Sequence, residues 1–167
     1  MKIIIAGAGE VGSYIAHMLA TEDQDTYLID NNKKRLDKVR QYNDIIGLEG
    51  DAKDIAVLIE AGVESCDLLI AATSSEETNL LICILGKKLG AKKTISRISN
   101  FEEIGQNMRS IYQEIGVDHV ISPVEKAAKE IYQLIKHEAF LDNYDFEGGK
   151  LSVFSIQLAE CSPLVGN

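Results

Sequence analysis

The sequence has little of what several classes of protein need. It holds 17 Lys and Arg against 26 Asp and Glu, a formal net charge of −9. Nucleic-acid binding and peripheral anchoring on anionic lipid both need a basic surface, so both are disfavoured. No run approaches the ~20 apolar residues of a membrane-spanning helix, and the start at Met1 lacks the shape of a signal peptide. We expect a cytoplasmic protein.

Cysteine is also scarce and poorly placed for a structural role. The three cysteines are far apart in the sequence and form no CxxC pair. A zinc site or a disulfide framework is therefore disfavoured. Cys83 lies in an apolar run and is interpreted as a small core residue.

What the sequence does have is a regular alternation of short apolar runs and amphipathic stretches of helical length. This βαβα order predicts a Rossmann-type doubly wound parallel sheet with helices on both faces, over residues 1–140. Unbroken Ile, Leu, Val and Ala runs suit strands that are covered on both sides. The predicted strands are 2–6, 26–30, 44–48, 68–72, 93–98 and 119–121, and the predicted helices are 11–20, 33–42, 54–61, 76–89, 101–115 and 124–140.

The pattern changes after residue 140. Residues 142–150 are polar and contain Gly148 and Gly149, which predicts a turn. Residues 151–158 mostly alternate apolar and polar, which predicts one half-exposed strand. Because that strand has no evident partner, residues 141–167 are interpreted as a linker and the beginning of a truncated C-terminal module.

The most informative motif lies between the first predicted strand and helix. Gly7, Gly9 and Gly12 form the pattern GxGxxG directly after the strand that ends at Ala6. The first glycine permits a tight turn, the second lets the backbone approach a pyrophosphate, and the third lets helix and strand pack closely. The helix N-terminus adds free N–H groups and a partial positive charge. The alternative is a glycine-rich turn without a ligand.

Asp30 ends the second predicted strand, where dinucleotide-binding folds place a carboxylate for the ribose hydroxyls. A carboxylate accepts from a free 2′-OH and repels a 2′-phosphate, so NAD is favoured over NADP. Lys33, Lys34 and Arg35 follow; they could attract a 2′-phosphate, but we interpret them as a solvent-exposed helix face. The alternative role for Asp30 is to cap the next helix.

Further polar residues follow the later strands and should border the same crevice. Asp51 either orients the adenosine end of a ligand or caps the helix predicted from Asp54. Thr73 either donates to a phosphate or ribose or serves as a turn hydroxyl. Arg97 lies in a partly apolar run, where a guanidinium needs a phosphate or an acidic neighbour such as Asp51.

Taken in order, these motifs resemble the KTN/RCK domain family. The motifs that carry the resemblance are GAGEVG at 7–12, Leu28-Ile29-Asp30, Gly50-Asp51-Ala52, Ala72-Thr73 with Asn79-Leu80, and Ser96-Arg97. They cover roughly residues 1–140, and Ser162–Gly166 resembles the opening of the domain that follows in this family.

The resemblance implies a cytosolic gating subunit of a potassium transporter or channel. It implies domains that pair into dimers and assemble as a ring beneath a membrane pore, and that sense NAD(H), ADP or ATP. The residues that it assigns to the nucleotide site are Gly7, Gly9, Glu10, Val11, Gly12, Asp30, Asn31, Asp51, Ala52, Ala72, Thr73 and Arg97.

Glu10 is one departure from part of this family. Some relatives that sense ATP have a basic residue at this position, whereas a carboxylate beside the phosphates disfavours a third phosphate. The departure favours NAD(H) or ADP over ATP.

The alternative function is an NAD-dependent oxidoreductase fragment, which would need a general acid or base beside the nicotinamide. His17, His119 and His137 have no partner that the sequence reveals. Tyr132 and Lys136 form the YxxxK of short-chain dehydrogenases, but the glycine pattern of those enzymes is different. A third alternative is an interaction module with a vestigial site.

Overall fold

A computed structural model describes residues 1–22, 24–39, 45–99, 106–136, 142–146 and 151–155. The chain divides into two compact units, residues 1–123 and 124–167. The boundary that the sequence predicts near residue 140 stays a prediction, because residues 137–141 lie outside the described part.

The first unit is built on a six-stranded parallel sheet with the order β3-β2-β1-β4-β5-β6. The order reverses at β1, so β1 and β4 are neighbours although two strands, three α-helices and a 3₁₀ turn separate them in sequence. This is the arrangement that the sequence predicts, and its switch point lies between β1 and β4. The strands are β1 (Lys2–Ala6), β2 (Asp25–Asp30), β3 (Ile45–Glu49), β4 (Leu68–Ala71), β5 (Lys93–Arg97) and β6 (His119–Ile121).

The helices of this unit differ from the predicted ones mainly at their ends. The predicted helices 33–42 and 101–115 are described only in part, because residues 40–44 and 100–105 lie outside the described residues. The helices are α1 (Glu10–Ala20), α2 (Lys33–Val39), α3 (Ile55–Glu60), α4 (Glu76–Leu89) and α5 (Gln106–Glu114), with a 3₁₀ turn at Val63–Ser65.

Both faces of the central strands are buried. Ile4 belongs to a core cluster with residues of α3 and α4, and Ile5 belongs to a second cluster with residues of α1 and α2. Cys83 is buried in the first cluster, as the sequence predicts, and burial raises the pKa of its thiol to about 12. The two clusters hold the strand ends, and therefore the loops that follow them, in fixed register.

Both termini of α4 are defined by capping residues. Ser75 is the N-cap, its hydroxyl accepting a hydrogen bond from the Thr78 N–H at 3.1 Å. Gly90 ends the helix with φ +121°, a conformation that residues with a Cβ rarely adopt. The apolar run 80–85 of this helix, which by sequence alone would be expected to be buried on every side, is exposed at Leu81, with 42% of its surface accessible.

The second unit corrects the interpretation of the C-terminal segment. It contains α6 (Pro123–Lys136, whose first residue ends the first unit) and the strands β7 (Asp142–Phe146) and β8 (Leu151–Ser155). These strands pair antiparallel, with Asp142 opposite Ser155. Residues 142–146 are therefore a strand rather than a turn, and β8 is not a lone strand. Cross-strand pairing here overrides the low strand preference of Asp and Asn.

Among the described residues, no helix is long and apolar enough to cross a membrane.

Candidate functional site

A cavity of about 360 Å³ opens at the carboxyl ends of the central strands, where the loops after β1 to β5 converge. Its size is within the range of small-molecule sites. The cavity is lined by Gly7, Gly9, Glu10, Val11, Ile29, Asp30, Asn31, Arg35, Gly50, Asp51, Ala52, Lys53, Ala72, Thr73, Ser74, Ser75, Thr78, Ile82 and Arg97. Of the site residues that the sequence predicts, all except Gly12 lie in this lining.

The three glycines of the loop differ in what a side chain would meet at each position. Gly7 has φ +107°, and a Cβ there would lie 2.9 Å from the Thr73 nitrogen. A Cβ on Gly12 would lie 1.8 Å from the Gly7 carbonyl oxygen, so Gly12 permits the close packing of α1 on β1 behind the cavity. A Cβ on Gly9 would meet nothing within 4 Å. Gly9 is therefore not required by packing, and its missing side chain keeps the cavity open.

The N-terminus of α1 faces this open space. Gly9 is its N-cap residue, and no side chain makes a capping hydrogen bond. The first-turn N–H groups and the positive end of the helix dipole are thus left for a ligand. Glu10 and Val11 line the cavity from the same turn. The arrangement suits an anion, and the open Gly9 position would let a phosphate-bearing group approach the backbone.

Asp30 is buried beside the glycine loop, with 7% of its surface exposed. Its Oδ2 accepts a hydrogen bond from the Ala8 N–H at 2.7 Å, and its Oδ1 accepts one from the Asn32 N–H at 2.7 Å. Asn32, and not Asp30, accepts from the Lys34 N–H at the start of α2. Asp30 therefore fixes the loop after β1 from the end of β2, and each carboxylate oxygen retains a lone pair for the cavity.

Arg35 lines the cavity, although the sequence interpretation placed it on a solvent-exposed helix face. Its Nη1 lies 3.7 Å from Asp30 Oδ2, and its side chain lines the cavity while 56% exposed. Its neighbours Lys33 and Lys34 are exposed and do not line the cavity. Arg35 faces the cavity because of how α2 packs on the sheet, and helical periodicity alone does not report that packing.

Asp51 is exposed at the rim of the cavity. Its Oδ1 accepts from the Lys53 N–H at 2.9 Å, and its Oδ2 lies 3.4 Å from Lys53 Nζ. Asp54, not Asp51, caps α3 by accepting from the Ala56 N–H at 2.9 Å. The capping role considered for Asp51 is therefore wrong.

Arg97 and Thr73 approach each other at the ends of β5 and β4. Arg97 Nη1 donates to the Thr73 carbonyl oxygen at 3.0 Å, and Arg97 Nε is buried without a hydrogen-bond partner. Within the described chain no carboxylate lies within ion-pair distance of this guanidinium, so the expected pairing with Asp51 is not formed. The Thr73 hydroxyl donates to Asn79 Oδ1 at 2.7 Å, so it stabilises the turn between β4 and α4.

Several lining residues were not predicted from the sequence, and they include Ile29 inside β2 and Ile82 inside α4. They are Ile29, Arg35, Gly50, Lys53, Ser74, Ser75, Thr78 and Ile82. The lining contains three carboxylates and three cationic side chains. The site is thus balanced in charge in a chain of net charge −9, which leaves it able to receive an anion.

The residues considered for oxidoreductase chemistry lie elsewhere. His17 and His119 are both exposed, and neither lines this cavity. Tyr132 is 60% exposed on α6, in the second unit, with Lys136 on the same helix. His137 lies outside the described residues.

Comparison with protein families identifies the first unit. The TrkA-N domain model matches residues 3–123, which includes all six strands of the sheet and every residue of the cavity lining. The chain belongs to the TrkA-N domain family. The resemblance to the KTN/RCK domains noted from the sequence is confirmed, together with the predicted fold class.

Curated relatives of this TrkA-N chain carry one name. A "Trk system potassium uptake protein TrkA homolog" from Archaeoglobus fulgidus is 36% identical over 99% of the chain. A "Trk system potassium uptake protein TrkA" from Haemophilus influenzae is 34% identical over 99% of the chain. In both comparisons the chain spans 37% of the relative's length.

Solved structures share the fold of this TrkA-N domain. The TrkA-N domain of the Escherichia coli inner membrane protein ybaL superposes with a TM-score of 0.69 at 19% identity, covering 80% of this chain and 96% of that one. The GsuK channel bound to NAD superposes with a TM-score of 0.63 at 15% identity, and the match covers 80% of this chain and 23% of the GsuK chain. GsuK bound to ADP superposes with a TM-score of 0.64 at 23% identity, and the match covers 82% of this chain and 34% of the GsuK chain.

Proposed function

We propose that this TrkA-N domain binds an adenine nucleotide, NAD(H) or ADP, in the cavity and acts as the cytoplasmic regulatory domain of a Trk-type potassium uptake system. The observation that carries the proposal is the open space over Gly9, at an uncapped helix N-terminus beside the buried carboxylate of Asp30. A glycine that packing does not require is explained by a ligand that approaches its backbone.

The assigned roles follow the positions of the residues. The N–H groups at the start of α1 receive the phosphates, and Arg97 supplies a positive charge from the end of β5. Asp30 accepts hydrogen bonds from the ribose hydroxyls, which disfavours a 2′-phosphate. The remaining assigned residues, Asn31, Asp51, Ala52, Ala72 and Thr73, form the rim.

Glu10 sets the preference among nucleotides. It is exposed in the first turn of α1 and lines the cavity close to the expected phosphate position. A carboxylate there repels additional phosphate charge, so NAD(H) and ADP are preferred to ATP. Glu10→Arg is expected to raise the affinity for ATP relative to ADP by about 1 kcal/mol.

The potassium role is supported by the relatives named above, which are potassium uptake proteins matched over nearly the whole of this chain. The nucleotide role is supported by the GsuK structures, which share the fold and contain NAD or ADP. The partner is a membrane potassium transporter or channel subunit, and the domain itself is a homo-oligomer. A regulatory ligand must bind two conformations of this assembly unequally, since only differential affinity shifts an equilibrium.

The test is a calorimetric titration of the chain with NAD⁺, NADH, ADP and ATP, combined with a turnover assay on alcohols and hydroxy acids. We expect NAD(H) or ADP to bind more tightly than ATP, and no hydride transfer. In the full-length protein, Glu10→Arg and Arg97→Ala should change nucleotide-dependent potassium flux in vesicles. Measurable hydride transfer, or flux indifferent to both substitutions, contradicts the proposal.

A further inference from the structure

Asn79 is the fourth residue of α4 and is 1% exposed. An asparagine inside a helix is unfavourable by propensity, and a buried amide is costly unless its hydrogen bonds are satisfied. Asn79 does not cap α4, because Ser75 does. Nor does it line the cavity. Its presence therefore needs a reason other than helix formation or direct ligand contact.

The side chain of Asn79 makes four hydrogen bonds, all to residues outside α4. Its Oδ1 accepts from the Thr73 N–H at 2.8 Å and from the Thr73 hydroxyl at 2.7 Å. Its Nδ2 donates to the Thr73 carbonyl at 3.2 Å and to the Arg97 carbonyl at 2.9 Å. One buried amide thus joins the loop after β4 to the end of β5.

The same loop also fixes the guanidinium of Arg97. Arg97 Nη1 donates to the Thr73 carbonyl oxygen, which is the atom that Asn79 Nδ2 also contacts. Asn79 therefore holds Arg97 twice, at its backbone directly and at its side chain through Thr73.

The guanidinium of Arg97 has a hydrogen-bond donor without a partner. Its Nε is buried and unpaired, and in the described part of the chain it has no carboxylate partner. A buried donor without a partner costs free energy, and an anion beside the guanidinium would compensate that cost. A rigid support for an uncompensated cation is typical of a binding site rather than of a structural core.

We propose that Asn79 is a positioning residue that aims Arg97 at the phosphates of the bound nucleotide, an inference that rests on the proposed function. Without the Asn79 amide, the Thr73 carbonyl loses its anchor and the guanidinium takes up other orientations. Ligands with phosphates then lose affinity, whereas adenosine, which does not reach Arg97, keeps its affinity.

The experiment compares the affinities of ADP and adenosine by calorimetry for the unmodified chain, Asn79→Ala, Arg97→Gln and the double variant. The matched control is Thr94→Val, which removes a buried hydroxyl that donates to the Gly116 carbonyl at the opposite end of β5. We expect Asn79→Ala to weaken ADP by about tenfold or more, the scale of a charged hydrogen bond, and adenosine by less than about threefold. Thr94→Val should lower the melting temperature and leave the ADP-to-adenosine ratio unchanged.

The double variant separates positioning from general destabilisation. If Asn79 acts through Arg97, then Asn79→Ala changes the ratio little once Arg97 is glutamine. Equal losses for ADP and adenosine, or additive losses in the double variant, overturn the inference while leaving the proposed function intact. If the unmodified chain binds neither ADP nor NAD(H), the proposed function fails and the inference fails with it.

If Asn79→Ala does not fold, a measurement on the unmodified chain decides the question. We expect the side-chain amide protons of Asn79 to shift in the NMR spectrum on saturation with ADP and to stay in place with adenosine. Identical shifts with both ligands, or no shift with either, contradict the proposal.

Discussion

The carboxylate of Asp30 lines the cavity and also holds the glycine loop in place. Its Oδ2 accepts the Ala8 N–H, so the side chain that should meet the ribose also fixes the loop that should meet the phosphates. Removing it leaves a buried N–H unpaired as well as deleting a ligand contact. A loss of nucleotide affinity at this position therefore has to be measured together with stability.

We predict that Asp30→Ala weakens NAD(H) by about 1.5–3 kcal/mol, the scale of a charged hydrogen bond. NADP(H) should be weakened less, since a repulsion is removed at the same time. Asp25→Ala is the matched control, because Asp25 is an exposed carboxylate at the other end of β2. Calorimetry with both dinucleotides checks the prediction, and a preference for NADP(H) in the unmodified chain would contradict the role of Asp30.

At the scale of the structural elements, Asp118, the residue before β6, links α4 through an ion pair and β5 through a hydrogen bond. Lys87 Nζ lies 2.8 Å from Asp118 Oδ2, and Asp118 also accepts from the Thr94 N–H at 2.8 Å. Partial burial raises the pKa of the Asp118 carboxyl, but the Lys87 ammonium and the Thr94 N–H outweigh burial, and the pKa lies below its ordinary value. The ionised form is thus the one that the fold stabilises.

The sign of the pH dependence follows from that shift. Because the folded pKa is lowered, the contribution of Asp118 is present above the unfolded pKa of about 3.9 and is lost as the pH falls through the folded pKa. We predict that Asp118→Asn lowers the free energy of unfolding by about 1–3 kcal/mol at pH 7 and by much less near pH 2. Urea unfolding at both pH values measures this, and an equal loss at both would rule out the ion pair as the cause.

The elements of the first unit could be predicted from the sequence because local pattern and tertiary position agree there. Buried parallel strands read as apolar runs, and their ends fix where the loops meet. The hairpin of β7 and β8 was not predicted, because Asp142–Phe146 carries only a short alternation at Tyr144 and Phe146 among polar residues, and its strand depends on pairing with Leu151–Ser155. Pairing between strands is a tertiary property that periodicity does not report.

The residues of the site also divide into those that the sequence predicts and those that it does not. The roles of Gly7, Gly9 and Gly12 could be predicted because backbone geometry after a strand permits few alternatives. Arg35 and Asn79 could not, because which face of a helix points to a crevice depends on how the helix packs. Asn79 stood in a recognised motif, but nothing in the sequence indicated that its amide would join two loops.

At the scale of the whole molecule, α4 keeps an apolar surface. Leu81 is 42% exposed, and Ile84 and Leu85 are only partly buried. Ile84 and Leu85 pack against the core, so Leu81 is the residue of this run that faces outward. The dimer expected from the sequence stays a prediction, and Leu81 is where a contact through this helix would form.

We predict that the chain is a dimer at micromolar concentration, with about twice the 18.3 kDa mass of one chain by light scattering. Leu81→Lys should shift it toward the monomer by placing a charge in the apolar contact. Tyr14→Lys is the control, since Tyr14 is 66% exposed on α1. A monomeric unmodified chain, or a dimer unaffected by Leu81→Lys, would exclude this surface as the dimer interface.

The central claim is that the cavity at the glycine loop binds a nucleotide, and Gly9→Val tests it most directly. Gly9 has φ −73°, which any residue adopts, and its Cβ direction is open, so valine should leave the melting temperature nearly unchanged. The valine would occupy the space through which a pyrophosphate approaches α1. The measurement is calorimetric titration of NADH and ADP into both proteins. We predict binding to the unmodified chain and none to folded Gly9→Val; unchanged affinity in the folded variant would contradict the claim.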